Sequence, residues 1–322
     1  MQQKNYSYRV LYSQKYEEAL TLAHTHKLIR WYVKAEPLWL SEEVFEYSIE
    51  LRPMDEDRFM ILNQKDCIIE IRRWITGKLL QTFQIPENPD RQLADAVYLP
   101  KHQYIIAGGG WDTLYFIDLQ TGLITRAYEA QETFEYITYL SVNDDETLLT
   151  HSDINMFNCF HLRSIDFENK KLTPAGRFDG DLRCHRDVIK FIPGSPSFVH
   201  VWMDMYRKQV ITCWRYEENT LHKEWEHRLP MIFHEHTLQD EWRSGLSVDY
   251  NIIVGAGQHL LEVASPRLEE RIAKHWILPD LIQDIESIPR SGFILLATEK
   301  GLIKWDTNQP ATRNVRIKLE PL

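Results

Sequence analysis

The chain of 322 residues reads as an all-β protein, a seven-bladed β-propeller with four antiparallel strands in each blade. Three observations predict this. A short apolar strand ended by proline recurs along the whole sequence. Each copy is followed by a second and a third strand in the same order. No segment carries helical periodicity of useful length.

The first strands that end in proline are Ile49-Glu-Leu-Arg-Pro53, Val97-Tyr-Leu-Pro100, Ile189-Lys-Phe-Ile-Pro193 and Ile285-Glu-Ser-Ile-Pro289. Proline suits a strand end because it cannot donate the next ladder bond. These prolines are spaced by about 47 residues or about twice that, a period expected of propeller blades. Three further copies fall in phase without the proline, at Tyr8–Tyr12, Ile137–Val142 and Leu246–Tyr250. Inner strands are expected to begin near Tyr8, Tyr47, Ala94, Glu135, Asp187, Gly245 and Ile282. Second strands follow, as at Ala19–Ala23, Phe59–Leu62, Tyr104–Ala107, Thr147–Thr150, Phe198–Trp202, Ile252–Ala256 and Phe293–Ala297.

Third strands often end in an aromatic residue and a polar turn. Leu28–Trp31, Ile68–Trp74, Leu114–Asp118, Phe160–Asp166, Val210–Trp214, Leu260–Val263 and Leu302–Asp306 are these strands. Thr76-Gly77, Thr121-Gly122 and Glu168-Asn169 supply hairpin chemistry after three of them. A fourth strand then runs outward, as in Leu79–Phe83 and Leu123–Ala127. The expected blades span 6–40, 44–85, 92–130, 135–178, 186–228, 244–276 and 281–319 of a single domain, 1–322. Closure is expected by packing of the first blade on the last, with no strand shared between the termini.

With these strands in place the chain resembles the WD40-like propeller superfamily over almost its whole length. Trp305-Asp306 stands where that family places its Trp-Asp dipeptide, and Trp31, Trp74 and Trp214 occupy similar strand ends without the aspartate. Ile117-Asp118-Leu-Gln-Thr-Gly122 looks equally like the strand-turn motif of quinoprotein-type propellers. The family's Gly-His dipeptide is missing. The resemblance implies a binding platform more often than an enzyme.

Composition narrows the function. Apolar residues make up 43 % and charged residues 26 %, near the globular average, which argues against disorder, collagen and coiled coil. A formal charge of −10 repels nucleic-acid phosphates and anionic lipid, so neither is an expected partner. Four dispersed cysteines form no CxxC pair and signal no thiolate metal site or disulfide framework. No secretory leader or membrane-length apolar run is present in the sequence, and a cytoplasmic protein is the expectation.

Candidate contacts lie in connections. The stretch Leu229–Gly245 is about seventeen residues long, beyond common loop lengths. It holds Phe233 and Trp242 among Glu235, Asp240 and Glu241. Trp111 and Asp112 sit at the tip of the glycine-rich hairpin that opens with Gly108. That hairpin precedes a strand, and a phosphate cradle would need a helix there. The expected interface is therefore Trp111, Asp112, Phe233, Glu235, Asp240 and Trp242, with aromatic anchors buried and acidic groups selecting a basic partner.

The expected function is a non-catalytic protein-binding scaffold without a cofactor. One form of it is an inhibitor or immunity-type protein that occludes a basic enzyme. The alternative is a metal-assisted hydrolase or lyase at the channel mouth, with His234 and His236 as candidate ligands. A convergent set of carboxylates and histidines separates the two. Trp202 and Trp214 fit strands and are expected in the core between blades.

Overall fold

The computed structural model describes residues 7–23, 27–32, 37–40, 49–86, 93–108, 113–129, 137–153, 159–179, 188–203, 209–228, 244–247, 252–263, 270–289, 291–298 and 301–318. Among them the secondary structure is strand and turn throughout. Five antiparallel sheets, each of four consecutive strands, follow one another along the chain. The first is β1 (Ser7–Ser13), β2 (Glu18–Ala23), β3 (Leu28–Tyr32) and β4 (Pro37–Leu40). The second is β5 (Ile49–Pro53), β6 (Arg58–Asn63), β7 (Ile68–Arg73) and β8 (Leu79–Gln84). The third is β9 (Asp95–Leu99), β10 (Tyr104–Gly108), β11 (Thr113–Asp118) and β12 (Ile124–Glu129). The fourth is β13 (Ile137–Val142), β14 (Leu148–Asp153), β15 (Cys159–Asp166) and β16 (Lys171–Asp179). The fifth is β17 (Val188–Phe191), β18 (Ser197–Met203), β19 (Gln209–Glu217) and β20 (Thr220–Arg228).

The last sheet corrects the expected count. The described residues form six sheets, not seven. β21 (Ser244–Ser247), β22 (Ile252–Val263), β23 (Glu270–Ile288), β24 (Phe293–Thr298) and β25 (Gly301–Asp306) pair in that order. β26 (Arg313–Lys318) pairs β23 along Glu270–His275, where the sequence reading placed it in a four-stranded seventh blade. The merging has a local cause. The expected outer strand of blade six and inner strand of blade seven are one strand of 19 residues. It pairs β22 on both sides of an irregularity, through Lys274–Ile277 and again at Ile282. Pro279 falls within that irregularity, where its missing N–H breaks no ladder bond.

The chain divides into two units. One comprises Met1–Tyr47, Tyr206–Cys213 and Glu224–Leu322, and the other Ser48–Met205 and Trp214–Lys223. In the second unit each sheet buries its faces against its neighbours. Met60, Ile69, Ile71 and Phe83 pack with Tyr98, Ile105, Tyr115 and Ile117. Leu99, Ile106 and Phe116 pack with Leu140, Leu149 and Leu172. Phe160 and Leu162 pack with Ile189, Phe198 and Trp214. A four-stranded sheet alone leaves one face wet, and this sharing removes that exposure.

In the first unit, Val10, Ala19, Ile29 and Trp31 pack with Ile288, Leu295, Ala297 and Leu302. The Val10 N–H donates to Asp284 Oδ2 at 3.1 Å. β1 is itself paired with β2, so the first sheet is built from one continuous segment.

The outer strands share a device. In β4, β8, β12 and β16 one residue is left without a register partner, respectively Leu38, Leu80, Ala127 and Ala175. A one-residue bulge bends an edge strand and spoils it as a template for another strand.

Candidate functional site

The residues expected to form the interface, Trp111, Asp112, Phe233, Glu235, Asp240 and Trp242, lie outside the described residues, as do His234 and His236. Their supports are described. β10 and β11 remain paired up to Gly108 opposite Leu114. A Cβ on Gly108 would stand 2.5 Å from both the Leu114 side chain and the Thr113 carbonyl oxygen, so glycine is required there. A strand follows the glycines, as the hairpin reading expects. β20 ends at Arg228 and β21 begins at Ser244. At the end of β20, Trp225 and His227 are buried with ring centroids 5.0 Å apart.

Trp202 and Trp214 are buried, as expected of core residues, and so are Trp31 and Trp74 at the ends of third strands. Trp31 donates through Nε1 to the Thr21 hydroxyl at 2.8 Å. Trp305 and Asp306 close β25, and Asp306 accepts the Asn308 N–H at 2.8 Å. The dipeptide thus caps a turn.

The described polar groups of greatest interest lie on first strands. Asp95 opens β9 and is 2 % exposed. Its Oδ1 accepts from the Arg52 guanidinium of β5 and from the Ala96 N–H at 2.7 Å. Its Oδ2 accepts the Leu140 N–H of β13 at 2.7 Å. One carboxylate therefore joins the inner strands of three consecutive sheets. Arg52 also reaches the Leu51 carbonyl at 2.8 Å and Glu50 at 3.4 Å. Asp284 repeats the device in the first unit, accepting from Val10 and from the Ile285 N–H at 3.0 Å. Asp95 and Asp284 stand at the same spacing before Pro100 and Pro289, a repeat visible in the sequence.

A second polar group is fully interior. Arg163 donates through Nε to His151 Nε2 at 2.8 Å, and its guanidinium carbon lies 3.5 Å from the centre of the Tyr128 ring. His151 stacks on His161, its register partner across β14 and β15, at 4.9 Å. Burial, with the nearby charge of Arg163 and His161, holds His151 well below the usual histidine range. It is a neutral acceptor. His161 and Arg163 alternate with Phe160 and Leu162 on one strand, so their shared face was visible in the sequence. Their meeting with Tyr128 of β12 was not.

Other reactive groups are spent locally. Burial and the hydrogen bond to Glu224 push the Cys213 thiol up, which keeps it protonated and a poor nucleophile. Desolvation raises the Asp118 carboxyl, but the N–H groups of Gln120 and Thr121, the Thr121 hydroxyl and the Lys170 charge bring it below the usual range. His259 Nδ1 and His275 Nε2 face each other at 3.0 Å. Among the described residues no group of three or more histidine, cysteine or carboxylate side chains could hold a metal ion. No described helix is long and apolar enough to cross a membrane.

No protein-family model matches the chain, and no curated protein matches it in sequence. Solved structures do. The β-propeller domain of Cps50 (Swd1) from Myceliophteria thermophila superposes with a TM-score of 0.69 over 94 % of this chain and 98 % of that chain, at 9 % identity. Because 1362 solved chains match, the likeness marks an architecture and no particular relative. The fold is a β-propeller with four-stranded antiparallel blades.

Proposed function

We propose that the chain is a non-catalytic β-propeller scaffold that binds a protein partner through the connections at 109–112 and 229–243. The observation that carries this is the use of interior polar groups as ties between strands, typified by Asp95, which leaves a stiff frame with recognition in its connections. Trp111, Phe233 and Trp242 act as anchors, and Asp112, Glu235 and Asp240 select a basic surface. The acidic charge of −10 supports that choice and favours an inhibitor or immunity-type role against a basic enzyme.

The test is affinity purification with quantitative mass spectrometry, comparing wild type with the double variant Phe233→Ala and Trp242→Ala. A partner lost from a variant that keeps its melting temperature supports the reading. A folded variant that captures the same proteins overturns the interface. A large thermal shift with zinc, abolished by His234→Ala or His236→Ala, overturns the non-catalytic reading instead.

A further inference from the structure

The last ladder lacks a strand that every other sheet has. The first five sheets run from an inner strand through two middle strands to an outer one. In the last, β23, β24 and β25 follow in that order, and β26 does not take the outer position. It pairs β23 along Glu270–His275, on the edge opposite β22, where His275 has both Arg313 and Leu261 as register partners. β25 therefore has β24 as its one strand partner among the described residues.

The ladder itself says which groups of β25 stand open. In an antiparallel pair, residues that exchange hydrogen bonds alternate with residues that do not. Phe293 stands opposite Asp306, and the register runs without a shift to Thr298 opposite Gly301. One step further out, the Thr307 N–H donates to the Gly292 carbonyl at 3.1 Å. Gly301, Ile303 and Trp305 thus bond to β24, while Leu302, Lys304 and Asp306 turn their N–H and carbonyl groups outward. The Asp306 carbonyl accepts the Gln309 N–H at 3.3 Å. Leu302 and Lys304 keep both groups open among the described residues. The bulges that spoil β4, β8, β12 and β16 as templates are missing here. A lysine can guard an edge, but the Lys304 ammonium lies 4.3 Å from the centre of the Phe293 ring, back over β24.

The edge is also recessed. One of the six residues of β25 is exposed, against four of six on the outer strand β8. Ile303 and Trp305 pack on the core that holds Trp276, and the Trp276 and Trp305 rings meet edge to face at 6.3 Å. Leu302 packs with Val10 and Trp31 of the first sheet. A recessed edge admits one extended chain and cannot meet its own copy, which is recessed in the same way. We propose that an extended segment of a partner protein adds to β25 as the missing outer strand. Its main chain pairs with Leu302 and Lys304, and alternate apolar side chains cover Ile303 and Trp305. This surface is separate from the connections proposed above and reads backbone rather than charge.

The test uses the full chain and a short fluorescein-labelled peptide of alternating valine and serine, read by fluorescence polarisation and by amide exchange. In the free chain the Leu302 and Lys304 amides should exchange faster than those of Ile303 and Trp305. The peptide should bind and slow exchange at Leu302 and Lys304. The same peptide with its amides N-methylated should bind about tenfold more weakly or worse, a readout that depends on no variant folding. Lys304→Pro removes an outward N–H and no bond to β24, so it should keep a melting temperature near that of wild type and weaken the peptide by about tenfold or more. Added salt should change the affinity little. Slow exchange at Leu302 and Lys304 in the free chain, no binding, equal binding of the N-methylated peptide, a steep salt dependence, or protection on another strand overturns the proposal. Self-association of the free chain that Lys304→Pro abolishes would assign the edge to a second copy, and also overturns it.

Discussion

In the sheets β5–β8 and β9–β12 the chain reverses at residues held in the left-handed region, whereas β23 runs on for 19 residues without one. Cys67 and Gly77 mark two reversals of the first of these sheets, with φ of 54° and 64°. Gln103 and Gly122 mark two of the second, with φ of 58° and 75°. The sheet of β13–β16 follows suit through Glu146 and Lys170. Between Asn219 and Gly292 no described residue has positive φ. The hairpins inside these sheets are therefore written by turn-forming residues. β23 holds no such residue, and two expected blades join in one ladder along it. The same contrast extends to the ties between strands. Asp95 holds a guanidinium and two N–H groups, and Asp284 holds two N–H groups, so the device is repeated with unequal strength.

The largest expected effect tests that inequality. Asp95→Ala leaves the Leu140 and Ala96 N–H groups without this acceptor and removes the buried carboxylate from Arg52, which keeps Glu50 and the Leu51 carbonyl, and should cost about 3–5 kcal/mol. Asp284→Ala removes two backbone bonds from a half-buried group and should cost about 1–2 kcal/mol. Urea unfolding of both variants measures the difference, and equal losses would break the comparison.

Two glycines give the next effect. A Cβ on Gly108 would strike backbone, whereas one on Gly255 would meet the ends of Ile285 and Ile282 at 2.7 and 3.1 Å. Side-chain tips can swing aside. Gly108→Ala should therefore cost about 2–3 kcal/mol and Gly255→Ala about 1 kcal/mol. A larger loss at Gly255 would show that the fused sheet is the tighter of the two.

The smallest effect depends on pH. His151 has a folded value well below its unfolded one, so the unfolded chain takes up the proton first as pH falls. The stability tied to its neutral form is complete above about pH 6.5 and is lost below it, by up to about 1.4 kcal/mol per pH unit. His151→Gln should flatten the pH dependence of the urea midpoint between about pH 6.5 and 5. Parallel curves for wild type and variant would show that the interior cluster of β14 and β15 does not resist protonation.

Much of this architecture was legible in residue types. Pro53 and Pro100 close inner strands, and the turns at Gly77 and Gly122 sit where Thr-Gly announced them. The burial of Trp202 and Trp214 followed from their place in strands. Pro279 lies inside the 19-residue strand β23, where seven four-stranded blades call for a boundary. The structure instead holds it opposite Gln258, whose side-chain amide donates to the Pro279 carbonyl at 2.9 Å. The ties of Asp95 and the meeting of Arg163 with Tyr128 escaped the reading for a different reason. Each joins separate sheets, and a pattern of period two says which face a residue takes but not what stands across from it. The expected anchors in the long connection fall outside the described residues, so the site rests on its sequence argument.

The bond from the Val10 N–H to Asp284 joins residues 274 positions apart. At roughly 5–20 residues per second of synthesis, the first strand emerges from a ribosome something like 15–50 s before its carboxylate exists. Through that interval Val10, Ala19 and Ile29 lack Ile288, Leu295 and Ala297, the side chains that cover them in the finished molecule. A nascent chain in that state is a client for whatever holds apolar strands apart in the cell. A release from the ribosome even a few dozen residues early would leave the first sheet permanently without its cover.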